Sequence, residues 1–230
     1  MTAEDNGQLL ANSPLFADLD AKTLTGLGER AVRRTLEKGR TIFYQGDPGD
    51  TLFVVAEGLV KVWVSSGDGS EMVLATLRPP ESFGELSAVS GVARSASATT
   101  LEPTVVVSLD RATLLDAVHR QPGLADGLLH AVGELARRVT EQASDLVFLD
   151  LAGRVAKRLV LLADRDGRAD GEATMLALPL TQSELGEMVG GSRQSVNQIL
   201  KTFESRGFLE LRGREVAILQ LESLRRRGEP

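Results

Sequence analysis

The 230 residues predict an α+β chain: a body of short antiparallel strands, one long helix, and a C-terminal helical unit closed by a β-hairpin. Three observations carry this. Short β-branched and aromatic runs with glycine and proline punctuation fill the stretch from Gly39 to Leu109. An apolar seven-residue repeat follows Pro122. Two helix caps, at Thr181 and Ser192, lie close together ahead of a glycine-split pair of strands.

Taken in order, Pro14-Leu15-Phe16 to Val32 sets Leu15, Leu19, Leu24 and Leu27 among polar residues and predicts short helix pieces. Beyond Gly39 the runs Thr41 to Tyr44, Leu52 to Val55, Leu59 to Val64, Val73 to Leu77 and Thr104 to Leu109 read as strands. Gly46-Asp47-Pro48-Gly49, Glu57-Gly58, Gly67-Asp68-Gly69 and Pro79-Pro80 supply the turns. No long helix intervenes, which predicts an antiparallel sandwich or barrel. The stretch Phe83 to Ala93 interrupts it.

Helical pattern resumes at Arg111 and strengthens after Pro122. Leu128, Val132, Leu135, Val139, Gln142, Leu146 and Leu149 alternate spacings of four and three, a heptad seam fit for pairing between subunits. Gln142 sets one polar residue in that seam, a device that fixes register. The same stripe would also serve a helix packed on its own domain. Asp150 reads as the cap of a new helix, Leu151 to Ala163, with Val155, Leu159 and Leu162 inward. Asp164 to Glu172, rich in charge and glycine, reads as a solvated loop.

Composition narrows the function. The chain is 42% hydrophobic, 25% charged and 4% aromatic, as ordinary globular chains are. No apolar run approaches the ~18 residues of a membrane span. The acidic, polar stretch Met1 to Gly7 is unlike a secretory signal. Cysteine is absent, which removes disulfides, cysteine metal sites and thiol nucleophiles and fits a cytoplasmic address. His119 and His130 match no short ligand spacing, so no metal site is expected. Without a paired carboxylate or a nucleophile beside a base, the chain reads as no enzyme. The net charge of −6 is uneven: residues 1–151 carry 13 basic and 21 acidic side chains, residues 152–230 carry 13 and 11. An acidic body with a mildly basic end would approach a polyanion through that end.

That basic end carries the densest signals. Thr181-Gln182-Ser183-Glu184 is a capping box, and its helix runs through Leu185 and Met188 to a break at Gly190-Gly191. Ser192 caps the next helix at once. Val196, Ile199, Leu200 and Phe203 share one face; Arg193, Gln194, Asn197, Gln198 and Lys201 project from the other, with no carboxylate there until Glu204. Two capped helices, a glycine turn and an outward face of arginine and amides make a helix-turn-helix. Arginine grips guanine O6 and N7 through two hydrogen bonds, and glutamine or asparagine matches adenine N6 and N7. Phe208 to Leu211, the turn Arg212-Gly213-Arg214, and Val216 to Leu219 form a hairpin wing whose arginines suit a DNA backbone. A helical hairpin with a polar outer face is the plainer reading of the helices alone. Thr181, Gln182 and Ser192, at the helix starts, complete the candidate nucleic-acid residues.

Phe83-Gly84-Glu85-Leu86, followed by Arg94-Ser95-Ala96, supports a second site. A glycine-led short helix inside a barrel aims backbone N–H groups at an anion, and the arginine fork suits phosphate oxygens. On its own, a salt-bridged turn explains the pattern equally well. The stretch Leu180 to Leu200, with Val189-Gly190-Gly191-Ser192-Arg193-Gln194-Ser195-Val196, resembles the DNA-binding helices of the cyclic-AMP receptor protein regulators, the Crp/Fnr family. Phe83 to Leu86 with Arg94 to Ala96 resembles that family's cyclic-nucleotide phosphate cassette, and Phe148 to Ala156 resembles its hinge. The resemblance spans nearly the whole chain, with three motifs in the family's order.

The resemblance implies a jelly-roll-like β-roll that binds a cyclic nucleotide over residues 1–125, a dimerisation helix over 126–149 and a winged helix-turn-helix over 150–230. It implies cyclic AMP as allosteric effector, bound by Gly84, Glu85, Leu86, Arg94 and Ser95, with Glu85 on the ribose 2′-hydroxyl and Ser95 on the phosphate. The family meets adenine with a Thr-Ser pair; the matching positions are Val139 and Thr140, leaving one hydroxyl for the base. Arg193 matches the family's guanine-reading arginine, while Gln194 and Gln198 replace a glutamate and a second arginine, so a different operator is expected. The partners implied are palindromic double-stranded DNA, RNA polymerase and a second copy of the chain, with no membrane. Val139 keeps open a regulator of the same architecture with a different effector or with ligand-independent DNA binding.

Overall fold

The computed structural model describes residues 3–171, 173–177, 180–213 and 215–229, in two compact units, Met1–Arg137 and Arg138–Pro230. Among the described residues no helix is long and apolar enough to cross a membrane.

The first unit opens with helix α1 (Ala3–Asn12), a 3-10 turn (Pro14–Phe16) and α2 (Ala21–Arg30). Asp20 caps α2 by accepting from the Thr23 amide at 2.8 Å. The sequence reading stops short of α1, because an acidic, polar start with only Leu9 and Leu10 shows too little periodicity. Leu10 is nevertheless buried with Leu15, Phe16 and Leu27 in one core cluster.

Eight strands follow: β1 (Val32–Leu36), β2 (Thr41–Phe43), β3 (Thr51–Glu57), β4 (Val60–Ser65), β5 (Glu71–Leu77), β6 (Ser82–Phe83), β7 (Ser97–Thr100) and β8 (Thr104–Asp110). They form two antiparallel sheets, ordered β1-β8-β3-β6 and β2-β7-β4-β5. These crossovers between non-consecutive strands give the expected jelly-roll-like body. Strand β1 escapes the sequence pattern because it is an edge strand: Arg33 and Arg34 interrupt it, and neither face is fully buried. Its pairing with β8, from Val32 opposite Ser108 to Leu36 opposite Thr104, makes it a strand.

Strand β3 shows how the core is divided. Leu52 and Val54 join the cluster under the helices, while Phe53 and Val55 join the cluster between the sheets. A strand covered on both faces reads as a continuous apolar run rather than an alternating one. A six-residue helix, α3 (Glu85–Ser90), explains the interruption after Phe83. Helix α4 (Arg111–Arg120), capped by Asp110, closes the roll.

Helix α5 (Pro122–Phe148) is 27 residues long, about 40 Å. Proline at its first position costs no hydrogen bond there. Leu124 and Leu128 are buried in the first unit's core. Further along the same stripe Val132, Val139 and Leu146 are 40%, 52% and 47% exposed. The last expected seam position is corrected: Leu149 is buried and lies beyond the end of α5, so packing within the chain accounts for both ends of the stripe and leaves Val132, Val139 and Leu146 outward.

In the second unit α6 (Leu151–Asp166) starts at Asp150, whose carboxylate accepts from the Gly153 amide at 2.7 Å. That bond, and then Arg227, hold the Asp150 carboxyl below its ordinary range. The expected loop from Asp164 to Glu172 is corrected. Helix α6 extends through Asp166, and β9 (Arg168–Asp170) pairs with β10 (Ala173–Ala177), Asp170 opposite Ala173. A polar, exposed hairpin carries the composition of a loop, and only pairing to a neighbour identifies it. Helices α7 (Gln182–Val189) and α8 (Arg193–Ser205) precede β11 (Leu209–Arg212), β12 (Glu215–Ile218) and α9 (Leu221–Arg227). The four strands form one sheet, β11-β12-β10-β9, so the expected two-stranded wing is half of a larger sheet. Phe208 falls outside β11: its amide still bonds Phe203 O at 3.0 Å, and the two rings lie 6.0 Å apart. Leu219 likewise falls just beyond β12.

Candidate ligand site and nucleic-acid interface

In the first unit, β6 hands over to α3 through Gly84, which takes φ +82°. A Cβ on that residue would stand 2.5 Å from Arg94 Nη1, so glycine answers both the backbone conformation and the close approach of the guanidinium. Glu85 and Leu86 are half-buried in the first turn of α3, and Ser95 is exposed.

Arg94 is only 4% exposed. Its Nη1 donates to Gly84 O at 3.0 Å and its Nη2 to Thr51 O at 2.7 Å. The guanidinium carbon lies 4.2 Å from the Phe43 ring centroid and 5.6 Å from that of Phe53. Buried Nε has no acceptor among the described residues. Burial lowers the Arg94 pKa, and the charges of Asp50, Glu85 and Asp47 oppose that shift. Arginine nonetheless keeps its proton under such conditions. The site thus holds a desolvated positive charge on neutral partners, with a donor still to satisfy. An anion offering oxygen acceptors fits it, as a nucleotide phosphate does.

The structure brings Gly84 against Arg94, and Glu85 within reach of its charge; Leu86 lies beside Glu85 on α3, and exposed Ser95 follows Arg94 in the chain. Thr140 and Val139 belong to the second unit, exposed on α5. Sequence reading missed Thr51, Phe43 and Phe53. Thr51 acts through its backbone carbonyl and leaves no signal, while the phenylalanines read simply as strand residues.

In the second unit Thr181 Oγ1 accepts from the Glu184 amide at 3.2 Å, and Glu184 Oε2 accepts from the Thr181 amide at 2.7 Å. The capping box is complete. Helix α7 ends at Gly190 in the left-handed conformation, φ +66°, and a Cβ at Gly191 would stand 2.7 Å from Leu151 Cδ1. The turn therefore takes two glycines for two reasons, conformation and contact. Ser192 Oγ accepts from the Ser195 amide at 3.1 Å and starts α8.

Val196, Leu200 and Phe203 are buried, while Arg193, Gln194, Gln198 and Lys201 are exposed and Asn197 is half-buried. Thr181 and Ser192 are exposed and Gln182 is half-buried. Glu204, the first carboxylate beyond that face, is engaged elsewhere: its Oε1 accepts from the Leu211 amide at 2.9 Å and ties α8 to the wing. Arg212 donates Nη2 to Glu210 Oε2 at 2.7 Å. That pairing raises the arginine's pKa and lowers the glutamate's. Arg168 likewise reaches Glu215 at 3.4 Å. Arg214 lies outside the described residues. Sequence reading noted the wing's arginines and passed over the glutamates paired with them.

Residues 33–121 match the family described as cyclic nucleotide-binding domain, and residues 153–227 match the Crp-like helix-turn-helix domain. The chain is 36% identical over 221 residues to a CRP-like cAMP-activated global transcriptional regulator of Mycobacterium tuberculosis, covering 96% of this chain and 99% of that one. It is 32% identical to the cyclic AMP receptor protein of Thermus thermophilus, over 92% of this chain and 97% of the relative. Among solved structures, FixK2 from Bradyrhizobium japonicum matches with a TM-score of 0.78 over 87% of this chain and 98% of that chain. At 22% identity that is a likeness of fold alone.

Proposed function

The chain belongs to the Crp/Fnr family of cyclic-nucleotide-binding, DNA-binding transcription regulators, and on that premise we propose that it works as a homodimer switched by cyclic AMP. The observation that carries the effector reading is Arg94: 4% exposed, hydrogen-bonded to neutral carbonyls, with a buried Nε–H lacking an acceptor among the described residues. Gly84, Glu85, Leu86, Arg94 and Ser95 hold the nucleotide, Arg94 and Ser95 on its phosphate and Glu85 on the ribose. Thr140 reaches the base. When bound, cyclic AMP would supply an anionic phosphate and a purine base. The cyclic-AMP-activated relatives support the same effector.

The dimer reading rests on the stripe of Val132, Val139 and Leu146, large apolar side chains left exposed along one long helix. Residues 126–149 then act as the dimerisation helix between a nucleotide-binding part, 1–125, and a DNA-binding part, 150–230. Two recognition helices about 34 Å apart read successive major grooves of a palindrome. Arg193, Gln194, Asn197, Gln198 and Lys201 face the bases and nearby phosphates. Thr181, Gln182, Ser192, Arg212 and Arg214 meet the backbone. RNA polymerase is the further partner, and the cytoplasm the compartment in which these partners meet. Val139, standing where a second hydroxyl would meet adenine, favours one other reading: the same site with a different effector.

Linkage requires tighter nucleotide binding in the DNA-competent state, typically by ~1–3 kcal/mol. Calorimetry with cyclic AMP and gel shift on a palindromic site test this together. Wild type is expected to bind the nucleotide and to hold DNA about tenfold more tightly with it. Arg94→Lys keeps the charge but loses the fork, and both effects should fall by about tenfold. Equal DNA affinity with and without cyclic AMP would end the switch reading.

A further inference from the structure

We infer that Phe43 is a positioning residue for Arg94, its ring face setting the guanidinium in the orientation that receives the phosphate. The inference rests on the nucleotide reading of this site and names a residue outside its binding motif.

Three strands from both sheets build an aromatic floor. Phe53 on β3 and Phe83 on β6 are direct cross-strand partners, their rings 5.2 Å apart and stacked within 17°. Phe43, at the end of β2, tilts against both at 5.7 and 5.9 Å. The Arg94 carbon stands closest to Phe43, at 4.2 Å against 5.6 Å for Phe53. An aromatic face attracts a guanidinium through its quadrupole, and more strongly where water is excluded.

The chemistry of the holders matters. A carboxylate in a salt bridge would fix the side chain but would also neutralise it. Two backbone carbonyls and a ring hold it by direct contact, while the carboxylates of Asp50, Glu85 and Asp47 act on it only through their charge and make no hydrogen bond to it, so its donors are not taken up by a salt bridge. With Nη1 on Gly84 O, Nη2 on Thr51 O and one face over Phe43, the flexible arginine is already ordered. Phosphate binding then avoids most of the cost of immobilising that side chain. Removing the ring returns part of that cost and drops the quadrupole attraction.

Calorimetry with cyclic AMP on the full chain tests the inference, using Phe43→Leu, Phe43→Tyr and Phe53→Leu. Phe43→Leu keeps apolar bulk and should weaken binding by roughly 3- to 30-fold. Phe43→Tyr should restore it. Phe53→Leu should lower the melting temperature yet weaken nucleotide binding less than Phe43→Leu does. Replacing Phe43 with singly, doubly and triply fluorinated phenylalanine drains the ring quadrupole at nearly constant shape. Affinity should fall stepwise along that series, which also serves should Phe43→Leu fail to fold. Wild-type affinity throughout the fluorinated series overturns the inference and leaves the site reading intact. A wild-type chain that binds neither cyclic AMP nor cyclic GMP overturns both.

Discussion

Arg94 illustrates how a single side chain is prepared by its surroundings. Burying a guanidinium costs free energy unless its donors are met, and here two carbonyls and an aromatic face meet most of that demand. Gly84 makes the approach feasible. At φ +82°, and with its would-be Cβ 2.5 Å from Arg94 Nη1, alanine would strain the backbone and push the guanidinium away. Gly84→Ala is therefore expected to destabilise the first unit by ~1–3 kcal/mol and to abolish measurable cyclic-nucleotide binding. Thermal melts and calorimetry on the same sample check the two effects. Gly84 and Arg94, which the structure sets against one another, are legible in the sequence as a glycine-led helix start followed by an arginine, while roles for Glu85 and Ser95 come only from the family resemblance. Thr51 was not, because it contributes a carbonyl that any residue carries.

Helix starts are the most legible elements. Asp150, Thr181 and Ser192, read as caps from the sequence, each accept a backbone amide in the first turn, because the interaction is local; Asp20 and Asp110 do the same, and the sequence reading passed over them. Edge strands are the least legible, as β1 and β9 show: both are exposed and charged, and only pairing defines them, β1 with a strand far along the chain and β9 with the next strand of a polar hairpin. The wing adds an electrostatic consequence. Glu210 competes for the arginine that would meet a phosphate, so Glu210→Gln should raise DNA affinity by up to about fivefold, the reach of an exposed ion pair. The salt dependence should steepen by about one counterion, with base preference unchanged. Binding titrations on operator and scrambled duplexes across salt concentrations would show this. Unchanged affinity in Glu210→Gln would mean that Arg212 stays clear of the phosphates.

Across the whole chain, the long helix connects the two functions. Its first turns are anchored by Leu124 and Leu128 in the first unit's core, while Val139 and Leu146 further along remain exposed. Water against such a stripe is unfavourable by roughly 25 cal/mol per Å² of apolar surface, a cost that a second copy would relieve on the proposed dimer reading. Leu146→Glu sets a charge in the seam and should shift the sedimenting species from dimer to monomer. Binding to a palindrome should weaken with it, because two half-sites would no longer be engaged by one particle. A Leu146→Glu chain that sediments like wild type would refute the seam.

Residue order alone dictated the period of each segment, the helix caps, the glycine turns, and the presence in one chain of an arginine cassette and a basic, amide-rich helix face. Each depends on chemistry within a few neighbouring residues, where sequence distance and spatial distance agree. Folding decided which neutral groups cradle Arg94, which glutamate occupies Arg212, and how a polar hairpin joins the wing sheet. Residues 43, 51, 84 and 94 meet only because two sheets bring together strands distant in the sequence. No local pattern records a contact between a ring on one strand and a charge some fifty residues away.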